Sequence, residues 1–147
     1  MALAPEQLYH LINDITTMTI LKSLASMFSP SDAGVRRLSP ADAAQLVRDK
    51  KAVLVDVREP EEWAETGVAE PASLLPLSDL SGPRLQWKQF LGQVGDCEII
   101  LYCKSGGRSG RAASVLAKEG FRTANAGGFG DWTAAGLPVR RIATAGN

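Results

Sequence analysis

The chain has little of what most enzymes use for proton transfer or metal binding. Among its 147 residues there is one histidine, His10, and there are two cysteines, Cys97 and Cys103. So small a set forms no zinc-type Cys/His cluster, and neither a metal nor an organic cofactor is expected. Net charge is also missing, because sixteen Lys and Arg balance sixteen Asp and Glu. Bulk electrostatics therefore point to neither nucleic acid nor a membrane surface as a partner. No uncharged apolar run is long enough to span a bilayer. The N-terminal region has no arginine before Arg36, and Glu6 and Asp14 interrupt its apolar residues. That pattern fits neither a transit peptide nor a secretory signal, so a cytoplasmic setting is expected. No internal repeat is visible. With 45% hydrophobic and 22% charged residues, the composition is that of one ordinary globular domain with some chain to spare.

A disulfide is also missing from the expectation. Cys97 and Cys103 bracket what reads as a single strand. At about 3.3 Å per residue their Cα atoms stand roughly 20 Å apart, whereas a disulfide needs about 4.4–6.8 Å. Two free thiols fit a reducing compartment.

What is present concentrates in one run. Ile99-Ile100-Leu101-Tyr102 is apolar and β-prone, and it delivers Cys103 to a loop, Lys104-Ser105-Gly106-Gly107-Arg108-Ser109, after which a helical pattern begins. A strand, a cysteine loop and a helix form a thiolate-activating arrangement. Backbone N–H groups of the loop and first helical turn point at the sulfur and favour its anion. Lys104, Arg108 and Arg111 add positive charge, and no Asp or Glu occurs between Ile99 and Ala117. A small anionic substrate is expected here. The four residues between Cys103 and Arg108 are one fewer than a phosphate-cradling loop of the tyrosine-phosphatase type uses. A tighter ring suits a sulfur atom carried on the cysteine.

The run Cys103 to Ser109 resembles the active-site loop of the rhodanese family of sulfurtransferases in its single-domain form. Asp56-Val57-Arg58-Glu59-Pro60-Glu61-Glu62-Trp63 resembles that family's D-V-R-E-x-x-E-[FW] element. Gly127-Gly128-Phe129-Gly130-Asp131-Trp132 with Ala135-Gly136-Leu137-Pro138-Val139 resembles its closing G-G-x-x-x-W…A-G-x-P-V element. One departure is clear: where the family often has Gly-His-Ile, this chain has Gly67-Val68-Ala69. The resemblance implies a persulfide on catalytic Cys103, formed with sulfane sulfur from a donor such as thiosulfate. It also implies delivery to a thiophilic acceptor, namely a thiol, cyanide or a thioredoxin-like protein. Lys104, Ser105, Gly106, Gly107, Arg108, Ser109 and Arg58 are the expected substrate-binding residues. Arg58 has a second reading, in which it pairs with Glu59, Glu61 or Glu62 to fix its loop. Asp56 reads as a loop organiser.

Strand and helix patterns alternate from Arg36 onward, which argues for an α/β fold with a mainly parallel central sheet flanked by helices. Ser39-Pro40-Ala41-Asp42 starts a helix. Ala52–Val57 reads as a buried strand, Glu59–Glu65 as a short helix and Ser73–Leu75 as a weak strand. Pro83–Val94 reads as a helix and Glu98–Tyr102 as the strand before the loop. Arg111–Glu119 is helical with Gly120 as its cap, Phe121–Ala124 is a last strand, and Asp131–Ala135 a last helical turn or two. Asp56, Arg58 and Cys103 then share the carboxyl edge of the sheet, where such folds bind ligands. The domain is expected over 36–141, with a tail over 142–147. Residues 1–35 show helical stripes (Leu8, Leu11, Ile12, Ile15) and read as an arm that packs on the domain or pairs two chains into a homodimer. Two rivals keep the same cysteine: a non-enzymatic sulfur carrier or redox-sensing module, and a cysteine phosphatase or arsenate reductase.

Overall fold

The computed structural model describes residues 35–143. The arm expected over residues 1–35 lies, apart from Val35, outside the described residues, as does most of the 142–147 tail. The described chain runs β1 (Arg36–Arg37), α1 (Pro40–Arg48), β2 (Ala52–Asp56), α2 (Pro60–Thr66), β3 (Val68–Ala69), β4 (Ser73–Leu74) and α3 (Leu77–Leu80). It continues through α4 (Leu85–Gln93), β5 (Glu98–Cys103), α5 (Gly107–Lys118), β6 (Thr123–Gly128), α6 (Phe129–Ala134) and β7 (Val139–Arg140).

The central sheet has five parallel strands in the order β1-β6-β5-β2-β4. Alternation along the strands sorts side chains onto two faces. Val55 and Val57 of the β2 segment join Ile99, Leu101 and Cys103 of β5 in a core closed by Trp87 of α4 and Ala112, Ala113 and Leu116 of α5. The opposite parity, with Leu54, Ile100, Tyr102, Ala124 and Ala126, packs on Ala43 and Ala44 of α1 and Trp132 of α6. Strands covered on both faces explain the nearly unbroken apolar runs at Ala52–Val57 and Ile99–Tyr102.

Local chemistry sets the element ends. The Ser39 hydroxyl oxygen accepts the Asp42 N–H at 3.1 Å and Pro40 opens α1, as the sequence predicts. Gly120, with φ +100°, follows the C-terminus of α5 as the expected cap. Among the boundaries that differ from the sequence reading, three bear on the site or its support. Helix α5 starts at Gly107, four residues before Arg111, because positive-φ Gly106 turns the chain straight from loop into helix. Strand β6 runs Thr123–Gly128 rather than Phe121–Ala124. Helix α4 starts at Leu85, and the Asp79 carboxylate of α3 accepts the N–H groups of Leu85, Gln86 and Trp87 at 2.9–3.1 Å. The acceptor lies six to eight residues upstream, beyond the usual N-cap spacing, so the sequence reading did not mark it.

The segment Gly67-Val68-Ala69 lies in a small antiparallel pair of β3 with β7, which the sequence reading did not contain. Val68 and Ala69 are fully buried there. An apolar side chain thus stands where the resembled family often has histidine, and the position serves packing.

Candidate active site

Strand β5 ends at Cys103, which is 1% exposed and faces the side of the sheet covered by α5. The chain then turns so that the Gly106 N–H points back at the sulfur, donating to Sγ at 3.0 Å. The Ser109 Oγ lies 3.4 Å from the same sulfur. Burial pushes the thiol up, but the Ser109 hydroxyl and the backbone N–H groups of Ser109, Ser105 and Gly106 outweigh it and hold the thiol below its ordinary value. The twelve-residue helix α5 opens at this loop and adds the positive end of its dipole.

The loop rests on β6. Register shifts between Leu101↔Asn125 and Cys103↔Gly128, so β6 carries one extra residue beside the end of β5. The irregularity brings Gly128 so close to the loop that a Cβ there would sit 2.3 Å from the Lys104 carbonyl oxygen. Only glycine fits. Asn125, 2% exposed, ties the two parts together. Its Nδ2 donates to Gly106 O at 3.0 Å, while its Oδ1 accepts from Gly127 N at 3.0 Å and Ser109 Oγ at 2.8 Å.

The expected site residues divide. Lys104, Ser105 and Gly107 are exposed around the loop, Gly106 and Ser109 are buried beneath it, and Arg108 is half-buried. Arg108 is bound to α2: its Nη1 and Nη2 donate to the two Glu62 carboxylate oxygens at 2.7 and 2.8 Å. The paired guanidinium holds the Glu62 carboxyl down at about 2, with a backbone N–H from Glu59 assisting. Arg58 is 2% exposed and pairs with Asp56, not with Glu59, Glu61 or Glu62 as the second reading had it. Its Nε and Nη2 donate to the Asp56 carboxylate at 2.9–3.1 Å, and Nη2 also reaches Gly67 O at 2.9 Å. Two of the adjacent glutamates are engaged elsewhere: the Glu59 carboxylate accepts from Ser78 Oγ at 2.6 Å, and Glu62 takes Arg108. Asp56 also accepts the Arg58 N–H at 2.9 Å, which makes it the loop organiser expected. The guanidinium lies 4.5 Å from the centroid of the Phe129 ring. Arg58, Phe129, Lys104, Thr66 and Glu65 are among the residues lining a cavity of about 340 Å³ beside the loop.

Cys97 stands before β5, at the end of the strand opposite Cys103, and both cysteines are free, as the spacing required. No group of acidic, His and Cys side chains suited to a metal occurs among the described residues. Nor is any described helix long and apolar enough to cross a membrane.

The rhodanese-like domain family matches residues 39–135. The chain belongs to the rhodanese-like family. A protein of Allochromatium vinosum named sulfurtransferase is 30% identical over 112 residues, which covers 71% of this chain and 94% of that one. A rhodanese-related protein of Thermoplasma volcanium superposes with a TM-score of 0.61 at 29% identity, covering 73% of this chain and 99% of that one. A Rhodopseudomonas palustris protein of unknown function, described as a possible tyrosine phosphatase, superposes with a TM-score of 0.64 at 27% identity, covering 78% and 91%. The rhodanese-like chain spans 63%, 54% and 62% of the length of relatives from Schizosaccharomyces pombe, Synechocystis and Bacillus subtilis.

Sequence reasoning missed Glu62 as the partner of Arg108, and it missed Asn125 and Phe129. The D-V-R-E-x-x-E element does carry an acid on the first turn of α2, but nothing in it names Arg108 as the partner. Asn125 had a weak signal, two residues before the Gly127-Gly128 pair.

Proposed function

We propose that this rhodanese-like domain is a sulfurtransferase that carries sulfane sulfur on Cys103. The observation that carries the reading is the Gly106 N–H aimed at a buried sulfur from 3.0 Å, inside a ring of N–H donors that favours its anion. The Cys103 thiolate attacks the outer sulfur of thiosulfate or a persulfide donor. A new S–S bond forms, the donor's S–S bond breaks, and sulfite or a thiolate leaves with the bonding electrons. The loop N–H groups then hold the charge of the Cys103 persulfide, by the logic of an oxyanion hole. An acceptor thiolate or cyanide attacks the outer sulfur and expels the Cys103 thiolate, which completes a double displacement. Lys104 at the exposed rim supplies positive charge for an anionic donor, while Arg58 and Arg108, held by Asp56 and Glu62, shape the ground behind it. No step calls for a metal or cofactor.

Intact-mass spectrometry before and after thiosulfate, then after cyanide, tests the reading. One added sulfur on Cys103, released as thiocyanate over repeated cycles, is the expected result. Cys103→Ser should abolish it and Cys97→Ser should leave most of it. Loading without efficient discharge would favour a carrier. Failure to load from thiosulfate, persulfides and mercaptopyruvate would overturn the function.

A further inference from the structure

Asn125 belongs to none of the expected site residues, yet its side chain touches two of the groups that face the sulfur. Its orientation is decided by chemistry. Gly127 N–H can only donate and Gly106 O can only accept, so Oδ1 faces the first and Nδ2 the second. Since Oδ1 can only accept, the 2.8 Å contact with Ser109 has the serine hydroxyl as donor. A serine hydroxyl has one hydrogen. While that hydrogen rests on Asn125, the Ser109 oxygen turns its lone pairs toward Cys103 Sγ, 3.4 Å away, and can accept the thiol S–H. An anionic sulfur needs the reverse, a donor. Rotation about the Ser109 Cβ–Oγ bond moves the hydrogen from Asn125 Oδ1 to Sγ. Asn125 then keeps the Gly127 N–H, so no buried acceptor is orphaned. The other half of the amide fixes the carbonyl of Gly106, the residue whose N–H points at the sulfur. Strand parity agrees: Ala124 and Ala126 face α1 and α6, so Asn125 falls on the face of Cys103.

We propose that Asn125 is a positioning residue for the nucleophile, anchoring Gly106 through its carbonyl and holding the Ser109 hydroxyl hydrogen until Cys103 carries negative charge. The proposal rests on Cys103 being the nucleophile of the proposed function, but its test reads the thiol directly.

The first measurement uses the unaltered chain. The side-chain amide resonances of Asn125 in ¹⁵N NMR should shift with pH at the same midpoint as the rate of Cys103 alkylation by iodoacetamide. In Ser109→Ala the coupling should weaken. Amide resonances that stay flat across the Cys103 titration would overturn the proposal. The second measurement uses Asn125→Ala. Its alkylation rate well below the parent's midpoint should fall about three- to tenfold, while rates well above both midpoints converge with the parent. Thr123→Val is the control. It removes another buried hydrogen bond of β6, from Thr123 Oγ1 to Ala113 O at 2.9 Å, and should lower the melting temperature without moving the pH profile. An Asn125→Ala profile that matches this control would overturn the proposal, and if Asn125→Ala does not fold, the NMR titration decides. A parent chain that shows the coupling but never loads sulfur would sink the proposed function and leave the role of Asn125 standing.

Discussion

Replacing Glu62 by Gln should cost the domain about 1–2 kcal/mol at pH 7, and the loss should disappear in acid. Glu62 joins α2 to the cysteine loop through both terminal Arg108 nitrogens, and its carboxyl is held at about 2 instead of 4.5. That difference corresponds to roughly 3 kcal/mol of preference for the charged form in the fold. The pair remains partly solvated, with side-chain exposures of 32% for Arg108 and 27% for Glu62, so water and salt reduce it to about half. The sign follows from the direction. A carboxyl depressed by folding contributes fully above its unfolded value and loses that contribution as pH falls through the folded one. The gap between the parent and Glu62→Gln should therefore be largest above pH 5, fall below about half by pH 3 and close near pH 2. Urea denaturation at pH 7 and pH 3, with melts in low and high salt, measures it. A shift of about 3–8 °C in melting temperature at pH 7 is expected. Melting temperatures equal within 1 °C at pH 7, or a gap that widens in acid, would refute the reasoning.

Two further substitutions separate loop placement from fold stability. Gly128→Ala puts a methyl group 2.3 Å from the Lys104 carbonyl oxygen, so the loop must move. Sulfur loading by thiosulfate should fall more than about tenfold while the circular dichroism spectrum is kept, and unchanged loading would show that the loop is not set by this contact. Asp79→Ala removes the acceptor for three N–H groups at the start of α4 and touches no hydrogen bond of the cysteine loop. It should cost about 1–2 kcal/mol in urea denaturation and leave the Cys103 alkylation rate unaltered.

The strand–loop–helix core of the site was legible because its signals are local. Ile99–Tyr102 is continuous and apolar, Gly106 supplies the positive φ, and no acid interrupts the basic loop. The parallel sheet followed from alternation, and register places Asp56 beside Tyr102, next to Cys103, as the shared carboxyl edge requires. What escaped were partnerships across long sequence separations. Arg108 lies 46 residues from Glu62, and nothing near either one names the other. The true start of α5 was misplaced because two glycines and a serine have low helix propensity, which capping by Gly106 and packing of Ala112, Ala113 and Leu116 override. The end of β6 was misplaced because Asn125-Ala126-Gly127-Gly128 looks like a turn. In the fold Asn125 and Gly128 pair with β5, the bulge lies between them, and the segment beds the loop.

The Glu62–Arg108 pair also bears on which anion the loop can take. The fold is shared with a protein described as a possible tyrosine phosphatase, so architecture does not choose between sulfur and phosphoryl chemistry. A phosphoryl group with several charged oxygens calls for a ring of N–H groups together with a guanidinium fork free to bind two oxygens. Here the four-residue span from Cys103 to Arg108 draws the N–H groups onto the sulfur itself, with Gly106 N at 3.0 Å. Both terminal nitrogens of Arg108 are already spent on a carboxylate. Lending that fork to a phosphate would leave Glu62 charged and unpaired beside a second anion, a repulsion that opposes binding. A single sulfur added to Cys103 asks for no fork. It needs only the converging N–H groups and a hydroxyl that can turn toward it, which is what the loop and Ser109 provide.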